Sequence, residues 1–150
     1  MSGADSSVTG EFEFVEGATS DLSFVARGLT LEAAFAGAGE ALLAATVEQP
    51  DRVERRERCL VRLEEPDLEL LLLRFLNELV YLRDAELKLF HPHRIEIQSD
   101  GMARLEAELA GERIDPSRHA LASEVKAATA HGLHVTRDGT GWRVAATLDV

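Results

Sequence analysis

The chain closes on Leu148-Asp149-Val150, which sets a side-chain carboxylate and a main-chain carboxylate within two residues of each other. Oxygen groups of this kind suit hard cations such as Ca2+ or Mg2+. Terminal residues are ordinarily frayed and chemically idle. Here an apparent strand over 142–148 precedes them and would hold them down. Two polar segments stand upstream. One reads Gly111-Glu112-Arg113-Ile114-Asp115-Pro116-Ser117-Arg118-His119, the other Glu124-Val125-Lys126-Ala127-Ala128-Thr129-Ala130-His131-Gly132-Leu133-His134-Val135. Lys126 is one of two lysines, with Lys88, against 14 arginines. The imbalance reads as composition bias, yet a compact ammonium and a planar guanidinium are not interchangeable at a tight polar site.

Other reactive side chains have plainer readings. Asp21 follows Thr19-Ser20 and, taken alone, is a turn residue satisfying its own backbone. His91 and His93 flank Pro92 without a third soft ligand nearby, so they read as a surface turn rather than a metal site. His134 alternates with the apolar side of its strand and reads as exposed. Cys59, the one cysteine, has no internal disulfide partner and reads as a small core filler. No Gly-rich phosphate loop, zinc pattern or nucleophile elbow occurs.

The elements that must position these groups follow from periodicity. Alternation predicts strands over 11–15 and 22–26. Thr30 is the expected N-cap of a helix over 31–46, with an apolar stripe at Leu31, Ala34, Phe35, Ala38, Ala41, Leu42 and Ala45. A strand is expected over about 55–63. Asp67 caps a second helix that ends near Asp84 and buries Leu68, Leu71, Leu72, Phe75, Leu76, Leu79 and Leu82. Strands over 93–98 and 102–110 flank the turn Ser99-Asp100-Gly101. Strands over 133–137 and 142–148 flank Asp138-Gly139-Thr140-Gly141. Residues 115–126 read as an irregular connection. The expected class is α+β, with two helices packed on one side of a mostly antiparallel sheet in a single two-layer domain.

Size and charge bound the function. A chain of 150 residues is one domain, able to bury its own core. Residues 1–10 read as a disordered tail and 11–150 as the folded unit. No apolar run is long enough to span a membrane, and the first residues lack the features of a signal peptide. With the single cysteine, this points to the cytoplasm. The net charge of −11 argues against direct nonspecific binding to nucleic acid, which needs cationic side chains to displace counterions. Any RNA-linked role would run through a partner protein.

The order of the motifs resembles the archease family. Thr19-Ser20-Asp21-Leu22 is similar to its N-terminal Thr-Ala-Asp-Ile. Thr30-Leu31-Glu32-Ala33-Ala34-Phe35 is similar to its first helix. Asp67-Leu68-Glu69 and Phe75-Leu76-Asn77-Glu78-Leu79 match its second. The two polar segments and the closing strand-plus-Asp complete the series. The resemblance implies an accessory protein, not itself an enzyme, that activates an RtcB-type RNA ligase in tRNA splicing or RNA repair by assisting GTP-dependent nucleotidylation and turnover. It implies a divalent cation, Ca2+ first with Mg2+ or Mn2+ as alternatives, held by Asp21, Asp149 and Val150. Lys126 and His131, with His119, would form a polar cluster beside it. Asp21 and Asp149 would then meet across adjacent antiparallel strands. Two positions depart from the pattern: Ala18 stands where the family commonly has His, and Ala130 where it often has Tyr. The rival readings are a metal-dependent hydrolase with paired carboxylates and a metal-independent, chaperone-like interaction module.

Overall fold

Two polar side chains start the helices. The Thr30 hydroxyl accepts a hydrogen bond from the Ala33 amide at 3.0 Å and opens α1 (Leu31–Thr46). The Asp67 carboxylate accepts from Leu70 N at 2.8 Å and opens α2 (Leu68–Glu86). Around them the computed structural model, which describes residues 9–15 and 21–150, places seven strands. They are β1 (Glu11–Val15), β2 (Leu22–Gly28), β3 (Glu57–Glu65), β4 (Lys88–Asp100), β5 (Met102–Arg113), β6 (Ala127–Asp138) and β7 (Gly141–Asp149). Most of the expected tail, residues 1–8, lies outside the described residues, as does Ala18.

The fold is α+β in one small domain, with every strand pair antiparallel. The strands divide into two sheets, ordered β1-β2-β7-β6 and β3-β5-β4. Each helix touches both sheets. Helix α1 contacts β1, β2 and β7 of one and β4 of the other, and α2 contacts β6 of one and β3, β4 and β5 of the other. One apolar core therefore runs through the molecule, with Phe24, Phe35, Phe75, Leu71, Leu76, Leu109 and Leu148 fully buried. Each large side chain removed from water contributes about 1.5–3 kcal/mol.

The position of α1 explains its composition. Its apolar stripe is wider than the sequence pattern suggests, because strands approach from two sides. A Cβ on Gly37 would lie 2.7 Å from the Glu11 carbonyl oxygen on β1, and one on Gly39 would lie 2.5 Å from Pro92 Cγ on β4. Glycine at both points lets the helix sit thin between strands.

Strand β4 corrects one reading. It starts at Lys88, directly after α2, not at His93. His91 is therefore not in a surface turn. It is buried in the strand, with Nδ1 2.8 Å from Glu40 Oε1 and Nε2 3.0 Å from the Val53 carbonyl oxygen. Pro92 gives the ladder no N–H, and the register shifts between Pro92 and Arg94, so His93 is the extra residue of a bulge. Both hairpin turns form where expected, with Gly101 and Gly139 at φ 98° and 63°.

Helix side chains close two sheet edges. Asn77 donates to the Ala128 carbonyl at 3.1 Å and accepts from the Ala128 amide at 2.8 Å, taking the place of a neighbouring strand beside β6. Glu69 accepts from the Val135 amide farther along β6, and Glu32 on α1 accepts from Ile97 N on the edge strand β4.

Candidate functional site

The predicted ligands lie at one end of the four-stranded sheet. The register pairs Leu22 of β2 with Leu148 of β7, and Ala127 of β6 with Asp149. The ladder ends at the Leu22–Leu148 pair, with Asp21 the residue next to Leu22 in the chain and Asp149 the residue next to Leu148. One step beyond the Ala127–Asp149 pair, Lys126 stands opposite Val150. The Lys126 amide donates to the Asp149 carbonyl at 2.7 Å, which fixes the closing residues against β6. Asp21, Asp149 and Val150 are each half-buried, and Val150 packs on the core.

Side-chain alternation puts Asp21 and Ser23 on the same sheet face as Thr147 and Asp149. The Ser23 and Thr147 hydroxyls are 2.9 Å apart, two positions along each strand from the aspartates. Strand β6 leaves its register between Thr129 and His134. Within that bulge Gly132 adopts φ 69° and comes over Thr147, where a Cβ would sit 3.8 Å from the Thr147 hydroxyl. The exposed His131 lies within this bulge. His134, read as exposed, is half-buried and accepts from Arg143 at 2.8 Å.

His119 does not join Lys126 and His131. It is buried at 3% exposure. Its Nε2 donates to Glu112 Oε2 at 3.0 Å, and its Nδ1 accepts from the Asp115 amide at 2.9 Å. Both ring nitrogens are spent inside the 111–119 motif, so this histidine builds a loop rather than facing a ligand.

Glu112 is the centre of that loop and was not singled out from the sequence. Besides His119, its carboxylate accepts from the Glu54 amide at 2.7 Å and from Arg118 at 2.5 Å, with Arg56 3.4 Å away. Burial by itself would raise this carboxyl. The Arg118 guanidinium, the Glu54 amide and His119 outweigh it and bring the pKa down to about 2. A signal was present in Gly111-Glu112: an acid at the apolar end of a strand, after a glycine. A Cβ on that glycine would come within 1.8 Å of the Leu89 carbonyl oxygen.

The donor set at the sheet end is small. Among the described residues, no group of three or more His, Cys, Asp or Glu side chains is arranged to hold a metal. Asp21 and Asp149 offer two carboxylates there, with the Ser23 and Thr147 hydroxyls and main-chain oxygens as the other oxygen groups at this end. Cys59 is half-buried and packed on the core, and burial raises its thiol pKa, with Glu86 and Glu78 adding to the effect. It is a core filler rather than a nucleophile. No described helix is long and apolar enough to cross a membrane.

Fold and site together define a small α+β domain with two aspartates towards one end of a four-stranded sheet. The Archease protein family (MTH1598/TM1083) model matches residues 12–150, and the chain belongs to the archease family. It is similar to the protein archease of Pyrococcus furiosus, 37% identical over 120 residues, 79% of this chain and 84% of that protein. It is 30% identical to the protein archease of Methanosarcina mazei over 142 residues, 93% of this chain and 96% of that one. The solution structure of Methanobacterium thermoautotrophicum protein 1598 overlays with a TM-score of 0.80 at 28% identity, covering 93% of this chain and 98% of that one. An archease of Thermotoga maritima, described as a possible chaperone, shares the fold at a TM-score of 0.63 and 20% identity, over 91% and 95% of the two chains.

Proposed function

We propose that this protein is a metal-binding accessory factor that activates an RtcB-type RNA ligase, assisting its GTP-dependent nucleotidylation and turnover in tRNA splicing or RNA repair. The observation that supports the reading is the register of β2 against β7, which pairs Leu22 with Leu148 and so brings their chain neighbours Asp21 and Asp149 to one end of the sheet in a member of the archease family. Two carboxylates and a main-chain oxygen of Val150 are hard donors and fit a divalent cation, Ca2+ first. They supply fewer than the six to eight oxygens that Ca2+ takes. The remainder would come from water or from the partner's own acidic groups, which suits a cation shared with a partner better than one locked in a cage. A bound cation would neutralise the facing aspartates and present positive charge at the sheet end. Lys126 would meet a phosphate or a carboxylate of the partner, and His131, carried by the β6 bulge, would stand beside it.

The test is RNA joining at limiting ligase, with and without this protein. Wild type is expected to raise turnover, and Asp21→Asn and Asp149→Asn to lose most of the gain while still folding. Activation that persists in chelator would replace this reading with a metal-independent interaction module. RNA or nucleotide hydrolysis by the protein alone would replace it with a hydrolase.

A further inference from the structure

Leu87 ends α2 in the left-handed region, at φ 57° and ψ 43°, and is the one described non-glycine residue with positive φ. Glycine or asparagine usually fills this place, because a branched side chain there strains the backbone. The strain brings no core burial in return, since Leu87 is 51% exposed. Leu121 is 63% exposed, held by a bridge to Val47 at the end of α1. The two leucines, with Ile114 and Ala122, line a groove of about 590 Å3 between the helix ends and the irregular 121–124 segment.

The rim of the groove is acidic. Asp84 and Glu124 line it, and the Glu48 amide donates to the Ala120 carbonyl at 2.9 Å, which sets Glu48 beside Leu121. Two of the nearby cations are engaged. Arg83 donates to Asp84 at 2.7 Å and to the Val125 carbonyl, and Lys88 is held by Glu57 at 2.8 Å. Two exposed leucines, one of them on a strained backbone, with Asp84, Glu124 and Glu48 beside them, complement one kind of occupant.

We propose that this groove docks a partner-protein segment that carries a large apolar side chain between basic residues. The partner is the one named in the functional reading, and the proposal rests on that reading. The wall of the groove runs on through Val125 to Lys126, whose amide is bonded to Asp149. An occupant seated there is thus two residues of chain from Lys126 and, through its amide, from Asp149.

Leu87→Gly and Leu121→Ser, singly and together, test it against the purified ligase by calorimetric titration. Leu87→Gly is expected to melt at or above the wild-type temperature, because glycine takes the left-handed conformation freely, and Leu87→Asn serves as the second strain-free variant. The double variant is expected to bind ligase at least tenfold more weakly while its melting shift with Ca2+ stays that of wild type. In a second arm, a basic leucine-containing pentapeptide is added to 15N-labelled wild-type protein, and a control peptide with glutamates in place of the basic residues is run beside it. The basic peptide is expected to move the amide signals of Thr46, Asp84, Leu87 and Leu121, and the acidic one to leave them in place. Ligase binding by the double variant at wild-type strength overturns the docking face and leaves the functional reading intact. Peptide shifts outside the groove, or none, overturn it as well. If wild type binds no ligase while the basic peptide moves the groove signals, the functional reading fails and the docking face stands.

Discussion

Glu112 concentrates the polar energetics of the chain in one side chain. A buried carboxylate is costly unless each lone pair is used, and here two cations, an amide and an imidazole use them. Its pKa of about 2 lies below the usual 4.5. The folded state therefore gains from the ionised form above about pH 4.5 and loses that gain as pH falls toward 2. A shift of this size corresponds to at most about 3 kcal/mol. Glu112→Gln is expected to lower unfolding stability at pH 7 by about 2 kcal/mol, through loss of charged hydrogen bonds. The gap to wild type should close as both are titrated down to pH 2.5, which urea unfolding at a series of pH values would read. A gap that does not change with pH would remove the carboxylate charge from the account. Asp149 obeys the opposite logic. In the proposed cation site its charge would face that of Asp21, so Asp149→Asn is expected to leave the metal-free melting temperature unchanged or slightly higher. Wild type at a Ca2+ concentration 100 times its dissociation constant should gain about 2.7 kcal/mol, and the variant should gain little. Equal Ca2+-induced shifts in the two proteins would take Asp149 out of the cation site.

At the scale of elements, α2 serves β6 as a replacement strand through Asn77. Asn77→Ala leaves the Ala128 amide and carbonyl without that partner, an expected cost of about 1–3 kcal/mol. Amide exchange at Ala128 should accelerate well before exchange in the β3-β5-β4 sheet. Unchanged exchange there would show that water replaces the asparagine at no cost. Helix α1 offers a steric counterpart. Gly39→Val must push the Pro92 ring aside, and a rigid ring cannot swing away, so a loss of about 1–3 kcal/mol is expected in thermal unfolding. These two contacts also mark the limit of sequence reading. Thr30, Asp67, Gly101 and Gly139 act on neighbours within four residues, so both caps and both hairpin turns were legible. The early start of β4 was not, because it depends on a left-handed Leu87 and a bulge at Pro92, neither of which has the usual residue for its role. His91 looked like a turn residue because the partner that draws it inside, Glu40, comes from a helix 51 residues away. His119 looked like part of the site for a similar reason: its partner Glu112 lies on the preceding strand, and only the folded loop turns the ring inward. The pairing of β2 with β7, which joins Leu22 to Leu148, spans nearly the whole chain. Motif order suggested it, and local periodicity carried no trace of it.

At the scale of the whole molecule, the dominant quantity is the charge of −11, from 27 acidic and 16 basic residues. Many of the arginines are already committed. Arg62, Arg74 and Arg104 pair with Glu106, Glu65 and Glu64 at 2.9, 2.6 and 2.6 Å on or beside the three-stranded sheet, and Arg118 serves Glu112. Paired surface arginines add little stability, but they cannot also neutralise RNA phosphates. The remaining field is acidic and reaches about 8 Å at physiological salt. Such a field repels nucleic acid and speeds encounter with a basic protein surface, while leaving the rate of separation nearly untouched. The expected outcome is a ligase association rate that falls at least about tenfold between 0.05 and 0.5 M salt, with a dissociation rate constant within about twofold. Stopped-flow or surface-based kinetics would read both. RNA alone should show no binding to the protein at 0.15 M salt, since the net charge of −11 opposes the counterion release that nonspecific binding needs. A salt-independent association rate would mean that docking is set by the apolar groove rather than by charge. Tight binding to free RNA would mean that the protein meets its substrate directly, and the case for action through a protein partner would fall with it.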